Sequence, residues 1–228
     1  MPDEKVGPCG CVVRRDACGL WKNVYRCASH VADVARRPTG EELYRNLGAI
    51  SAGSIPGHAR YANELLEALP GWKPLVGPGA RRALEVGAGM GMYAPWLMQN
   101  GYSYEAIEPE PWGAEWIASV FHAPVFRGSA FEYKPLRSYA LIVAAHVVEH
   151  MVDAVAALCL FRSWLNLDGE LVMIVLDDED MWNPEHVWFG DERSWRGVLK
   201  EAGFHQARCA TRRRIERESF LYFVASRA

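Results

Sequence analysis

Glu85-Val86-Gly87-Ala88-Gly89-Met90-Gly91 is the stretch that decides how this chain is read. ALEVG (83–87) is a short apolar run of the kind that forms a buried strand, and Tyr93–Asn100 follows with a helical pattern. Glycines placed after a strand and before a helix let the backbone bend tightly and approach a ligand closely. The spacing is G-x-G-x-G. A dinucleotide fingerprint would put its third glycine where Met92 stands. The acid Glu85 precedes the loop by two places and is poorly suited to a pyrophosphate. It suits a cofactor with a cationic end. A second acid, Glu108, closes the next apolar run 23 residues after Glu85. A carboxylate at that strand tip accepts hydrogen bonds from ribose hydroxyls. Loop, helix and acid in this order point to a bound nucleoside.

Outward from the loop, short apolar runs alternate with helical stretches. YEAIE (104–108) predicts a strand, Gly113–Phe121 a helix and APVFRGS (123–129) a third strand. YALIVAAH (139–146) is the strongest strand run. It is followed by a helix over Val152–Asn166, then a turn at Asp168-Gly169 into ELVMIVL (170–176). Asp191–Ala202 reads as an amphipathic helix closed by Gly203. The tail from Phe204 reads as two strands with a polar bend. The expected fold is α/β: a Rossmann-like, mostly parallel seven-stranded sheet with helices on both faces. Upstream, a helix around His58–Leu69 ends at Pro70-Gly71. The expected organisation is a Cys/His knuckle over 1–40, a helical cap and linker over 41–79, and the α/β core over 80–228.

Composition narrows the class. The chain has 228 residues, 50% hydrophobic and 11% aromatic, which suits a packed core and not a disordered chain. The longest apolar stretch, near Tyr139–Val148, is broken by His146, Glu149 and His150, so no membrane span is expected. The N-terminus carries no apolar signal region, and a cytoplasmic protein is expected. A net charge of −3 disfavours bulk capture of nucleic acid. Arg212-Arg213-Arg214 reads as a solvated strand end, and the acidic run Asp177–Asp180 as a solvated face. Trp182, Trp188, Phe189 and Trp195 read as core more readily than as a stacking platform.

Glu85–Gly91, Glu108, Gly128-Ser129-Ala130 and Ala145-His146-Val147-Val148-Glu149-His150 together resemble a class I S-adenosylmethionine-dependent methyltransferase. The phrases Asn183-Pro184-Glu185-His186-Val187-Trp188-Phe189 and Ala202-Gly203-Phe204 resemble the bacterial small-molecule branch related to ubiquinone-type O-methyltransferases. The resemblance covers roughly residues 80–228. It implies a cofactor-binding set of Glu85, Gly87, Ala88, Gly89, Gly91, Glu108, Pro109, Ser129, Ala130, Ala145, His146 and Arg60. In that set Glu85 orients the loop and the methionyl ammonium, and Glu108 binds the ribose hydroxyls. Ser129 and Ala130 flank the adenine, and Arg60 clamps the methionyl carboxylate. Where the family often has an Asp after the third strand, this chain has Ser129.

Methyl transfer to a hydroxyl needs a positioned acceptor and a proton acceptor. His146 and His150 follow the fourth strand and His186 follows the fifth, at the rim where open α/β sheets bind ligands. Histidine titrates near neutral pH and suits the base role, so these three are the catalytic candidates. His146, Glu149, His150 and His186 also resemble the metal-binding pattern of small-RNA 3′-terminal methyltransferases, although the first position there is an acid. The expected activity is O-methylation of a small metabolite or sugar-like hydroxyl compound. One alternative is methylation of a nucleic acid or nucleotide, with the N-terminal knuckle as docking element. A second is a non-catalytic S-adenosylmethionine-binding or interaction protein.

Four of six cysteines lie in the first 27 residues. Without a secretion signal, metal ligation is the better reading of them. Cys9, Cys11, Cys27 and His30 form two close pairs fit for one structural zinc. Val12-Val13 and Val24-Tyr25 would be the strands of a short hairpin between them, with Cys18 as a rival ligand. Cys159 and Cys209 read as small core residues.

Overall fold

The run YALIVAA becomes a central strand because alternate residues bury on opposite faces. Leu141 and Val143 pack on one side of the sheet, and Ile142 and Ala144 on the other. The computed structural model describes residues 3–7, 11–25, 81–177, 186–215 and 218–227. Their strands are β1 (Glu4–Val6), β2 (Val12–Arg15), β3 (Trp21–Tyr25), β4 (Arg81–Val86), β5 (Tyr102–Ile107), β6 (Val125–Phe126), β7 (Tyr139–Ala145), β8 (Leu165–Leu176), β9 (Trp188–Phe189), β10 (Gln206–Ile215) and β11 (Glu218–Ser226). Their helices are α1 (Ala94–Gln99), α2 (Pro111–Phe121), α3 (Ala154–Trp164) and α4 (Glu192–Glu201). No helix among the described residues is long and apolar enough to cross a membrane.

The main sheet has seven strands in the order β10-β11-β8-β7-β4-β5-β6. β4 pairs in parallel with both β5 and β7, and β8 extends the parallel set. β11 joins β8 antiparallel, and β10 joins β11 antiparallel. This is the expected fold class. The chain runs outward from β4 through β5 to β6, then returns to lay β7 on the other flank of β4. The order reverses there, and such a switch point opens a crevice at the carboxyl ends of the strands. One face is covered by α3 and α4, through Leu158, Phe161, Trp195, Val198 and Leu199. The other is covered by α1 and α2, through Trp96, Leu97 and Ile117. Phe189 and Trp195 are core residues, and Trp188 is half-buried.

Three local readings change. The third strand shrinks from the expected 123–129 to Val125–Phe126, an edge segment preceded by Pro124, which has no N–H to donate. The turn expected at Asp168-Gly169 is absorbed into β8, where the pairing jumps from Tyr139↔Leu165 to Leu141↔Glu170. Gly169 is needed in that irregularity, because a Cβ there would stand 2.9 Å from the Tyr139 carbonyl oxygen. Cys159, expected in the core, lies on the exposed flank of α3, whose apolar stripe is Ala154, Ala157, Leu158, Phe161 and Trp164. Cys209 is half-buried against the core.

At the N-terminus the expected hairpin is present, and it is part of a larger sheet. β1, β2 and β3 form an antiparallel meander, and β9 pairs Trp188–Phe189 with Lys22–Trp21. Asp16 closes the β2–β3 turn by accepting from Leu20 N through its carboxylate at 2.9 Å. Leu20 is fully buried in the core of the main sheet. Gly190 makes room for it, since a Cβ there would meet Leu20 Cδ2 at 2.2 Å. The Cys18 thiol hydrogen-bonds the Glu201 carboxylate of α4, and burial with that neighbouring charge pushes its pKa up to about 12. Cys11 is buried. Cys9, Cys27 and His30, like the helical cap over 41–79 with Arg60, and Asp178–Asp180 with Trp182, lie outside the described residues.

Candidate active site at the carboxyl rim of the sheet

The loop after β4 is held from both sides. Gly87 N and Ala88 N both donate to the Ile107 carbonyl at the end of β5, at 2.8 and 3.1 Å. On the β7 side, a Cβ on Gly87 would stand 2.3 Å from Val147 Cγ2. Gly87, Gly89 and Gly91 all have positive φ, at 63°, 56° and 72°. Each glycine of the motif therefore sits in the left-handed region that side chains disfavour.

Glu108 ties this loop to the next strand. It is 3% exposed, and its carboxylate accepts from Gly89 N at 2.6 Å and from Glu110 N at 2.9 Å. The acid predicted from its register with the glycine loop thus stands directly against that loop. Pro109 is exposed beside it and Pro111 opens α2. Gly113 packs α2 against the loop. A Cβ there would lie 2.6 Å from the Gly89 carbonyl oxygen. Its only sequence signal was a glycine in the first turn of a helix, where glycine is otherwise disfavoured.

Glu85 faces the α1–α2 side of the sheet. Tyr104 Oη donates to it at 2.6 Å and Tyr93 N at 3.4 Å. Burial, helped by the nearby Glu108 charge, raises its pKa to about 8 against the pull of those two hydrogen bonds. Tyr104 and Tyr93 were not singled out from sequence, since a partner for Glu85 cannot be read from spacing alone.

The remaining rim comes from β6 and β7. Ser129 is exposed and Ala130 buried. Ser129 N donates to Glu132 Oε2 at 3.0 Å, so Glu132 holds the amide of that loop. Ala145 ends β7 half-buried, and His146 follows with φ 57°, an uncommon conformation for a side-chain residue. The His146 side chain is 42% exposed and its ring meets the edge of Phe220 at 5.0 Å. Its Nδ1 lies 3.6 Å from Glu149 Oε1, an ion-pair contact too long for a hydrogen bond. Glu149 is fully buried. Burial pushes its pKa up, yet His146 and His150 outweigh this and hold it below the usual carboxylate range. His150 is exposed, His186 is buried, and their rings meet edge to face at 4.8 Å. The three histidines and Glu149 therefore gather at one rim, as their positions after β7 and β8 predicted. Asp177, expected on a solvated face, is instead buried just past the end of β8.

The glycine cradle and the adjacent buried acid fit a nucleoside cofactor. A profile of the methyltransferase domain matches residues 57–206. No curated protein matches the sequence. Among solved structures, the N-terminal domain of EvdMO1 with S-adenosylhomocysteine bound is similar with a TM-score of 0.55 and 18% identity, over 74% of this chain and 80% of that one. A S-adenosylmethionine-dependent methyltransferase from Clostridium acetobutylicum gives a TM-score of 0.61 and 10% identity, over 81% and 98%. A candidate O-methyltransferase from Nostoc punctiforme gives a TM-score of 0.58 and 14% identity, over 87% of this chain and 65% of that one.

Proposed function

The chain belongs to the methyltransferase-domain family and is a class I S-adenosylmethionine-dependent methyltransferase; on that premise we propose that it methylates a hydroxyl of a small molecule, with His146 as the base. The observation that carries the cofactor half of this reading is the Glu108 carboxylate against Gly89 N. S-adenosylmethionine, when bound, supplies a sulfonium methyl group that passes to the acceptor oxygen as the C–S bond breaks and its electron pair stays on sulfur.

The chain's own residues do the rest. Glu108 takes the ribose hydroxyls at the tip of β5, in reach of the main chain of the glycine loop. Gly87, Ala88, Gly89 and Gly91 let the backbone come close to the ligand, and Gly113 lets α2 close behind the loop. Pro109, Ala130 and Ser129 border the base, with Glu132 fixing the Ser129 amide. Ala145 and His146 border the methionyl end, and Arg60 takes its carboxylate. Glu85 acts as a positioning residue, because its two oxygens already accept from Tyr104 and Tyr93. His146 receives the proton that the acceptor hydroxyl loses and releases it to water, for which its exposed ring is suited. His186 is buried and His150 faces it, which favours His146 over both as the base.

Calorimetry with S-adenosylhomocysteine tests the cofactor site. Binding is expected in the unaltered chain. Glu108→Ala should weaken it roughly tenfold or more, since a hydrogen bond to a charged group is worth about 1.5–3 kcal/mol. An unchanged affinity in that variant would overturn the assignment. For the base, His146→Ala should cut turnover about 10²–10⁴-fold with a hydroxyl acceptor found by labelled methyl transfer. Full turnover in that variant would remove His146 from the reaction.

A further inference from the structure

Among the described residues, Glu149 is a buried carboxylate at this rim whose side-chain oxygens accept no hydrogen bond. Glu85 and Glu108 each accept two. Glu149 is 1% exposed, and neither of its oxygens has a hydrogen-bond partner among the described residues. A desolvated carboxylate is costly unless a cation or donors compensate it. His146 stands off at 3.6 Å. On the other side, one ligand atom from each of Glu149, His150 and His186 falls within 4.8 Å of the others.

We infer that Glu149, His150 and His186 form a binding site for a first-row divalent cation. Two imidazoles and one carboxylate suit zinc and its neighbours in the series; magnesium and calcium prefer oxygen shells. The scaffold is already set. Glu149 and His150 lie in the 3₁₀ turn Val148–His150. Across from it, Val187 N donates to the Glu149 carbonyl at 2.8 Å and Trp188 Nε1 to the Met151 carbonyl at 2.8 Å. These two bonds fix the 186–188 segment against the turn on both sides of the ligand set. A tetrahedral shell with bonds of about 2.1 Å needs donors roughly 3.4 Å apart. The buried pair Glu149 and His186 supplies one wall, and the exposed His150 closes the remaining gap by side-chain rotation. The cation supplies the direct bonds that the Glu149 oxygens lack, closer than the His146 contact at 3.6 Å. Three protein ligands leave at least one position for water or an oxygen donor, so this is an open site. It uses no thiolate, which separates it from the Cys/His set expected at the N-terminus.

Cobalt(II) titration of the 228-residue chain, stripped with a chelator and followed by visible absorption, tests the site without cofactor or acceptor. The readout therefore stands whether or not the proposed methyl transfer is found. One saturating equivalent with d–d bands is expected at this site, and the part of the spectrum that His150→Ala removes should contain no thiolate charge-transfer band. Zinc calorimetry on His150→Ala and His186→Ala should show binding at least about 100-fold weaker, beyond the loss typical of outer-shell changes. His150 is exposed, so its variant keeps the fold, which far-UV dichroism verifies. His205→Ala, also exposed, should bind as the unaltered chain does. No saturable cobalt binding, or affinity and spectrum unchanged in His150→Ala, would overturn the site.

Discussion

Glu85 and Glu108 end adjacent parallel strands, and both are buried, yet they are held differently. Glu108 is met by two main-chain N–H groups of the cofactor rim; Glu85 is met by a tyrosine hydroxyl on the helix side. The folded-state pKa of Glu85, about 8, lies above its ordinary value of 4.5. The folded chain therefore holds a proton that the unfolded chain releases. The stability linked to it is complete below the ordinary value and is lost as pH rises through the folded one. Glu85→Gln keeps an acceptor for Tyr104 and carries no proton to lose. Urea unfolding should show the unaltered chain losing stability between pH ~5 and ~8, with a shallower loss in the variant. Parallel profiles would contradict this account of Glu85.

Elements meet at this rim through glycines. In Gly87→Ala the new methyl would occupy the space of Val147 Cγ2 while φ stays at 63°. The β4 loop would then have to part from the β7 tip, at a cost of about 1–3 kcal/mol. Thermal melting should register that loss, and calorimetry a weaker S-adenosylhomocysteine affinity alongside it. Gly190→Ala strikes a different joint, between β9–α4 and the β2–β3 turn, where Leu20 Cδ2 would be 2.2 Å away. Hydrogen exchange should then rise in β1–β3 while β4, β7 and β8 keep their protection. Equal protection of β1–β3 in variant and parent would show that this joint does not hold the N-terminal sheet.

For the molecule as a whole, Leu20 decides whether the N-terminal sheet and the α/β core unfold together. It is buried in the same cluster as Leu84, Phe161 and Trp195. Leu20→Ala should lower stability by about 2–5 kcal/mol in a single transition. A knuckle ordered separately would leave the core transition where it was. The sequence by itself determined the strand–helix alternation, the glycine loop, the acid at the tip of β5 and the histidines at the rim. Those signals are local: period-two burial in 83–87 and 139–146, and loop chemistry set by a few neighbouring residues. The family match over 57–206 spans both of these runs. Tertiary structure alone decided three further things. It turned Glu85 toward Tyr104, because the facing of a strand residue acquires a partner only when sheets and helices pack. It joined β3 to β9 across more than 160 residues of chain, a pairing that no spacing encodes. And it set Glu149, His150 and His186 within reach of one another, because the β7 and β8 tips are neighbours only once the parallel sheet has formed.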